Sequence, residues 1–150
     1  MKRYLLICLL LCFQISWAEN SIVTYISTND YQTTKENIEI AIDGRGMLVS
    51  GILHISEMLN RTGPDLGIKN PVFKKAESVE FCSSEISHKM VQADPTNLTV
   101  CPFTVSVYVL SAQLDKVYVA YKRHQLAGNH AATEKLVNDL LDGIAVEAAE

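Results

Sequence analysis

The side chains best equipped for chemistry fall in one block, Phe81 to Phe103, reading FCSSEISHKMVQADPTNLTVCPF. It carries two thiols, Cys82 and Cys101, with an imidazole, His88, and a thioether, Met90. All four are ligand types that suit copper or haem iron. The two thiols alone suit a disulfide or a thiol-redox role. Helix geometry limits the metal reading. Residues 88 and 90 stand about 200° apart around a regular helix, so one ion takes His88 or Met90 with the thiols, not both. Met90 also keeps helical spacing with Ile86 and Ala93, which places it on a core face. The pair is not a close Cys-x-x-Cys, which weighs against a dedicated redox motif.

A disulfide between Cys82 and Cys101 would close a loop of 18 residues. Closure of that size stabilises a fold by roughly 3 kcal/mol in the chain-entropy model. It carries a geometric condition. If the strands flanking the block are antiparallel neighbours, the two residues lie at the same edge and can meet. If they are parallel neighbours joined by a crossover helix, the residues lie at opposite ends. The sequence leaves both arrangements open.

No other constellation supports catalysis. His54, His88, His124 and His130 have no partner at the spacing of a metal-binding helix. Ser83, Ser84 and Ser87 lack the glycines of a nucleophile elbow and suit helix capping. Gly44-Arg45-Gly46 is a helix stop, not a phosphate loop. Asn60-Arg61-Thr62 and Asn97-Leu98-Thr99 match the glycosylation pattern, a frequent chance match. Tyr108, Tyr118 and Tyr121 cluster near the C-terminal third. Rings gathered on one sheet face would make a dimer interface or a shallow ligand surface.

The chain opens MKRYLLICLLLCFQISWA, a basic start, an apolar run and small residues at a cleavage position. That pattern predicts a secretory signal over residues 1–18, too short for a comfortable membrane span. Leu11 before Cys12 is too bulky for a usual lipid-attachment box, so the expectation is a soluble mature form. Cys8 and Cys12 leave with the leader, and Cys82 and Cys101 remain, an even number in an oxidising compartment. The expected location is periplasmic in a Gram-negative host and secreted otherwise. Eleven basic residues then face seventeen acidic ones, a net charge of −6 over 132 residues. With no basic patch, nucleic acid and anionic membrane are poor partners. No later stretch is long and apolar enough to span a bilayer.

These residues must be positioned by a small set of elements. Ile22 to Ser27 is β-branched and aromatic and reads as a strand. Thr34, Ile38, Ala41 and Ile42 keep helical spacing after caps at Asn29 or Asp30, with Thr33 and Glu36 as a capping box. Met47 to Ile55 alternates as a strand, and Ser56 caps a short turn before Gly63-Pro64. Glu77 to Cys82 reads as a strand and Ser84 to Ala93 as a helix that Pro95 closes. Phe103 to Val109 and Val117 to Tyr121 form a hairpin across Ser111 to Lys116. Leu136, Val137, Leu140, Leu141, Ile144 and Ala148 mark one face of a last helix, which Gly143 weakens. This order predicts one α+β domain over residues 19–150, a two-layer sandwich. A mostly antiparallel sheet of about five strands is covered by helices on one face.

The segments TYISTNDYQTTKENIEIAIDGRGM, HISEMLNRTGPDLG and CPFTVSVYVL with VYVAYKR resemble the domain-of-unknown-function 302 family. Thr34 and Gly46 fall where that family carries a helical Thr and a Gly before its second strand. The cysteine-bearing block resembles an exported branch of the family. It departs from the commoner branch, which has Gly-Asn-Pro where this chain has Cys82-Ser83-Ser84. The resemblance covers essentially the whole chain after the leader. It implies a small α+β domain, usually a homodimer, with no established activity and therefore no catalytic residues to carry over. The expectation is an exported, non-catalytic domain that binds a small ligand or a protein partner. The alternative is a copper, haem or thiol-redox protein built on Cys82 and Cys101.

Overall fold

The computed structural model describes residues 21–150. The leader expected over residues 1–18 lies outside the described residues. The order of elements is β1 (Ile22–Ser27), α1 (Tyr31–Asp43), β2 (Val49–Leu53), α2 (Ile55–Thr62), β3 (Phe73–Phe81), α3 (Ser84–Ala93), β4 (Phe103–Leu110), β5 (Gln113–Lys122) and α4 (Ala131–Ala149). Short 3-10 turns at Pro64–Leu66 and Pro95–Val100 follow α2 and α3.

The five strands make one sheet in the order β1-β5-β4-β3-β2, with every neighbouring pair antiparallel. The central strand β4 sets the pattern. Phe103, Val105, Val107 and Val109 are buried, and Thr104, Ser106, Tyr108 and Leu110 between them are half-buried. The buried row faces α1, α3 and α4. Their contribution is Ile38, Ala41 and Ile42, then Met90, then Val137, Leu141, Ile144 and Ala148. Each large side chain fully buried there stabilises the fold by about 1.5–3 kcal/mol before chain entropy is counted. One sheet face is thus covered by helices and the other is not, the layering the alternation implies.

Local chemistry starts and stops these elements. Asp30 caps α1, its carboxylate accepting from the Gln32 and Thr33 amides at 2.8 and 3.1 Å. Asp30 is one of the two expected caps, while Thr33 donates its hydroxyl to the Asp30 carboxylate at 2.8 Å and Glu36 accepts from Gln32, so the expected Thr33–Glu36 box does not form. Buried Thr34 donates its hydroxyl to the Asp30 carbonyl at 2.8 Å, and its oxygen lies 2.8 Å from Ser27 Oγ. Gly46 turns the chain at φ 70°, a left-handed conformation that glycine adopts without penalty. Gly143 leaves room for Arg45. A Cβ there would sit 3.2 Å from the Arg45 guanidinium, which bonds the Ala41 carbonyl and Glu147 at 2.7 Å.

Three expectations about strands change. β2 is trimmed to Val49–Leu53, because a register shift pairs Val49 with Phe81 and Gly51 with Glu80, breaking the alternation. β3 starts at Phe73 rather than Glu77, since its lysine-bearing half pairs with the far end of β4 across an irregularity between Phe73 and Lys75. β5 starts at Gln113, so the hairpin turn is far tighter than the expected Ser111–Lys116 loop.

Candidate functional site

Strand parity and sheet order build the uncovered face in tiers. The outermost tier runs Ile22, Lys122, Thr104, Glu80 and Gly51 across the sheet. The middle tier is Thr24, Ala120, Ser106, Ser78 and Leu53. The next is Ile26, Tyr118, Tyr108 and Ala76. Tyr108 and Tyr118 are direct cross-strand partners, stacked at 5.1 Å with planes 13° apart. Phe73 meets the edge of Tyr108 at 5.6 Å. Such aromatic pairs contribute about 0.5–1.5 kcal/mol beyond the area they bury. The middle of the face is small and polar-satisfied, with Ser78 and Ser106 hydroxyls 2.7 Å apart. Ile22 and Leu53 are each 47% exposed and Ile26 is 57% exposed, so this face presents apolar rims around a flat centre. Its shallow groove of about 500 Å³ is lined by Phe73, Ala76, Tyr108, Leu110 and Ala120, with Ile55 at the side.

Tyr121 does not join the other two tyrosines. It pairs with Val105, points into the helix layer and is only 4% exposed. Its hydroxyl donates to Asp142 Oδ1 at 2.8 Å, and Tyr25 donates to the same oxygen at 2.6 Å. Burial and the bond to Asp142 push the Tyr121 hydroxyl well above the ordinary tyrosine range, so it remains a donor.

The thiols meet at one corner of the sheet. β3 and β4 are antiparallel and Phe81 pairs with Phe103, which brings the residues just beyond them together. Cys82 Sγ and Cys101 Sγ lie 2.7 Å apart, both as thiols in this structure. Ser87 Oγ stands 3.3 Å from Cys101 Sγ. Partial loss of water and the contact with Cys101 push the Cys82 thiol up to about 11, so the reduced form is a weak nucleophile at neutral pH. The four-residue metal set does not assemble. Ser83 caps α3 through the Ile86 amide, Met90 is fully buried in the core and His88 is exposed on the outside of the helix. Among the described residues, no cluster of three or more His, Cys, Asp and Glu side chains is placed to hold an ion.

Sequence reasoning missed two further clusters. Glu77 on β3 accepts from Lys35 Nζ at 3.0 Å and from the Tyr31 hydroxyl at 3.0 Å, while His54 Nδ1 lies 2.5 Å from its other oxygen. Burial pushes the Glu77 carboxyl up, but the bonds from Lys35, Tyr31 and His54 outweigh it and hold the group below its ordinary value. Lys75 Nζ lies 5.0 Å over the Tyr31 ring. The second cluster is centred on Asn97, which is buried. Its amide donates to the Met90 and Ala127 carbonyls at 3.1 and 3.2 Å and accepts from the Ala127 amide at 2.8 Å. The signal available beforehand was Tyr31 and Lys35, one helical turn apart on a single face.

An antiparallel five-stranded sheet with helices on one face and an open opposite face defines a small α+β domain of the sandwich class. The family model "Domain of unknown function DUF302" matches residues 23–148, and the chain belongs to that family. Among solved structures it is similar to the uncharacterized conserved protein DUF302 from Bacillus stearothermophilus. The TM-score is 0.64 and the identity 13%, over 87% of this chain and 98% of that one. At that identity the likeness is one of fold. No curated protein matches.

Proposed function

We propose that this chain is an exported, non-catalytic binding domain that works as a homodimer, with a second copy of itself seated on the uncovered sheet face. The reading is carried by the self-complementarity of that face. A two-fold axis between two facing sheets, running along β4, lays each β5 over the partner's β3 and each β1 over the partner's β2. Lys122 then faces the partner's Glu80, opposite in charge and in the same tier. Tyr118 faces the partner's Ala76, large against small. Thr104, Ser106 and Tyr108 meet their own copies on the axis. Aligned sheets pack about 10 Å apart with mean strand directions within about 30°, which a centre of Ala, Ser and Thr permits. A domain that covers its second sheet face this way needs no further layer of its own.

Export is supported by the leader pattern of residues 1–18 and by the even pair of thiols that survives it. In an oxidising compartment Cys82 and Cys101 would close as a structural disulfide. The second reading is a thiol-redox role for the same pair, for which the specific observation is that Cys82 is exposed to solvent.

The test is the mass of residues 19–150 by light scattering after size exclusion, with and without reductant. Twice the chain mass is expected, with Ser106→Arg giving a monomer of unchanged circular dichroism. A wild-type monomer at the highest soluble concentration would sink the dimer reading. A sulfhydryl potential in the range of disulfide oxidoreductases, with turnover of a disulfide substrate, would favour the redox reading over the staple.

A further inference from the structure

The segment from α2 to β3 lies outside the core and flanks the sheet at the β3 edge, where the Ala76 amide donates to Ser56 Oγ at 3.0 Å. α2 buries none of its side chains. Met58 and Leu59 on it are 45% and 43% exposed, and Leu66, Ile68 and Val72 after it are 72%, 54% and 65% exposed. So many exposed apolar side chains in one short stretch call for an occupant. They are not scattered. Leu59, Leu66, Ile68, Val72 and Phe73 line a single concave cavity of about 410 Å³, within the size range of small-molecule sites.

The wall is built, not collapsed. The Gly63 amide bonds the Leu59 carbonyl at 2.8 Å, and the Gly63 carbonyl accepts from the Leu66 and Ile68 amides at 3.0 and 2.9 Å. A Cβ on Gly63 would come within 3.0 Å of the Leu59 carbonyl and 3.5 Å of the Ile68 carbonyl, so the loop is drawn tightly onto the end of α2. These bonds engage the loop's own backbone groups, and the lining is mostly apolar, with Ser56, Asn60 and Thr62 as its uncharged polar side chains. One charged side chain lines it, Lys69. A lone cation on an apolar cavity, in a chain whose formal net charge is −4, selects for charge as well as for shape.

We infer that this cavity binds a small amphiphile with an aliphatic body and one anionic end, a medium-chain carboxylate by chemical class. The body fills the Leu59–Leu66–Ile68–Val72 wall and the anionic end pairs with Lys69. This site is separate from the sheet face proposed for dimerisation, which shares only Phe73 with it.

The experiment is an NMR amide titration of residues 19–150 with sodium octanoate, with octanol and octylammonium as the neutral and cationic probes of equal chain. Saturable shifts confined to residues 56–73 are expected. Octanoate should bind about fivefold tighter than octanol, the ratio an exposed ion pair gives, and octylammonium weakest. Lys69→Glu should reverse the order of the two charged probes, a result that loss of folding cannot mimic. Leu66→Asp, at an already exposed position, should abolish binding of all three. Equal binding of octanoate and octylammonium overturns the inference, as does the absence of saturable shifts. Shifts centred on Tyr108 and Tyr118 instead, or binding only to anionic phospholipid vesicles and not to free octanoate, overturn it too.

Discussion

Cys82 and Cys101 stand sulfur to sulfur at 2.7 Å because Phe81 and Phe103, each one or two residues inward, are cross-strand partners in an antiparallel ladder. The register, not the intervening helix, brings the thiols together. Residues 19–150 prepared under oxidising conditions are therefore expected to take up no alkylating reagent until reduced, which mass spectrometry reads directly. Cys101→Ser should lower the stability of the oxidised protein by about 3 kcal/mol in chemical denaturation and leave the stability in reductant nearly unchanged. Two alkylatable thiols in air-purified protein would remove the staple.

Asn97 ties three segments together, and its truncation tests whether the block between the cysteines is anchored without them. Asn97→Ala leaves the Met90 and Ala127 carbonyls and the Ala127 amide without their side-chain partner in a buried setting. A loss of roughly 2–4 kcal/mol is expected in reductant, from a penalty of about 1–3 kcal/mol for each buried group left unsatisfied, partly relieved by entering water. Asn97→Asp keeps the acceptor for the Ala127 amide but loses the donors, and should fall between. Buried at 2% exposure, Asn97 is also expected to stay unmodified in folded protein despite its Asn-x-Thr pattern.

The Glu77 cluster gives acid sensitivity a definite sign. The folded carboxyl lies below its ordinary value of 4.5. The unfolded chain therefore binds the proton more readily, and the stabilisation is complete above about pH 4.5 and is lost as pH falls through the folded value. Thermal melts should show the midpoint dropping below that pH, with a shallower drop in Glu77→Gln. At neutral pH the same variant should lose about 1–3 kcal/mol, because Lys35, Tyr31 and His54 lose their shared acceptor. An identical acid slope in wild type and variant would assign the sensitivity to other carboxylates.

Much of the architecture was written in the alternation of particular residues. Phe103, Val105, Val107 and Val109 declare a half-buried strand, and Leu136 to Ala148 declare a helix face. Tyr121 was readable too, since it shares parity with buried Val117 and Val119 rather than with Tyr118. The first part of β3 was not, because Phe73, Lys74, Lys75 and Ala76 carry no apolar alternation and are strand only by pairing with β4. The meeting of Cys82 with Cys101 required the order of strands, which no local pattern encodes. Tyr31, Lys35, His54 and Glu77 come from α1, the turn before α2 and β3, and only tertiary packing joins them. The anchoring role of Asn97 was not legible either, because its partners lie as far away as Ala127.

The geometry proposed for the dimer makes an expectation that mere stickiness does not. If the two-fold axis runs along β4, Lys122 of each copy lies over the partner's Glu80, and both pairs sit at one end of the interface. Reversing one charge places like against like at two points. Lys122→Glu alone, or Glu80→Lys alone, should weaken dimerisation by roughly ten- to a hundredfold, since like-charge juxtaposition across an interface costs several kcal/mol at most and these pairs lie near the rim. The double reversal restores opposite charges and should recover most of the affinity. Sedimentation equilibrium of the three variants reads each constant, and added salt should shrink the differences. Recovery in the double variant identifies the facing pair, because either substitution acting on the fold alone would leave the double variant worse than both singles. Single variants that dimerise as wild type does would move the axis away from β4.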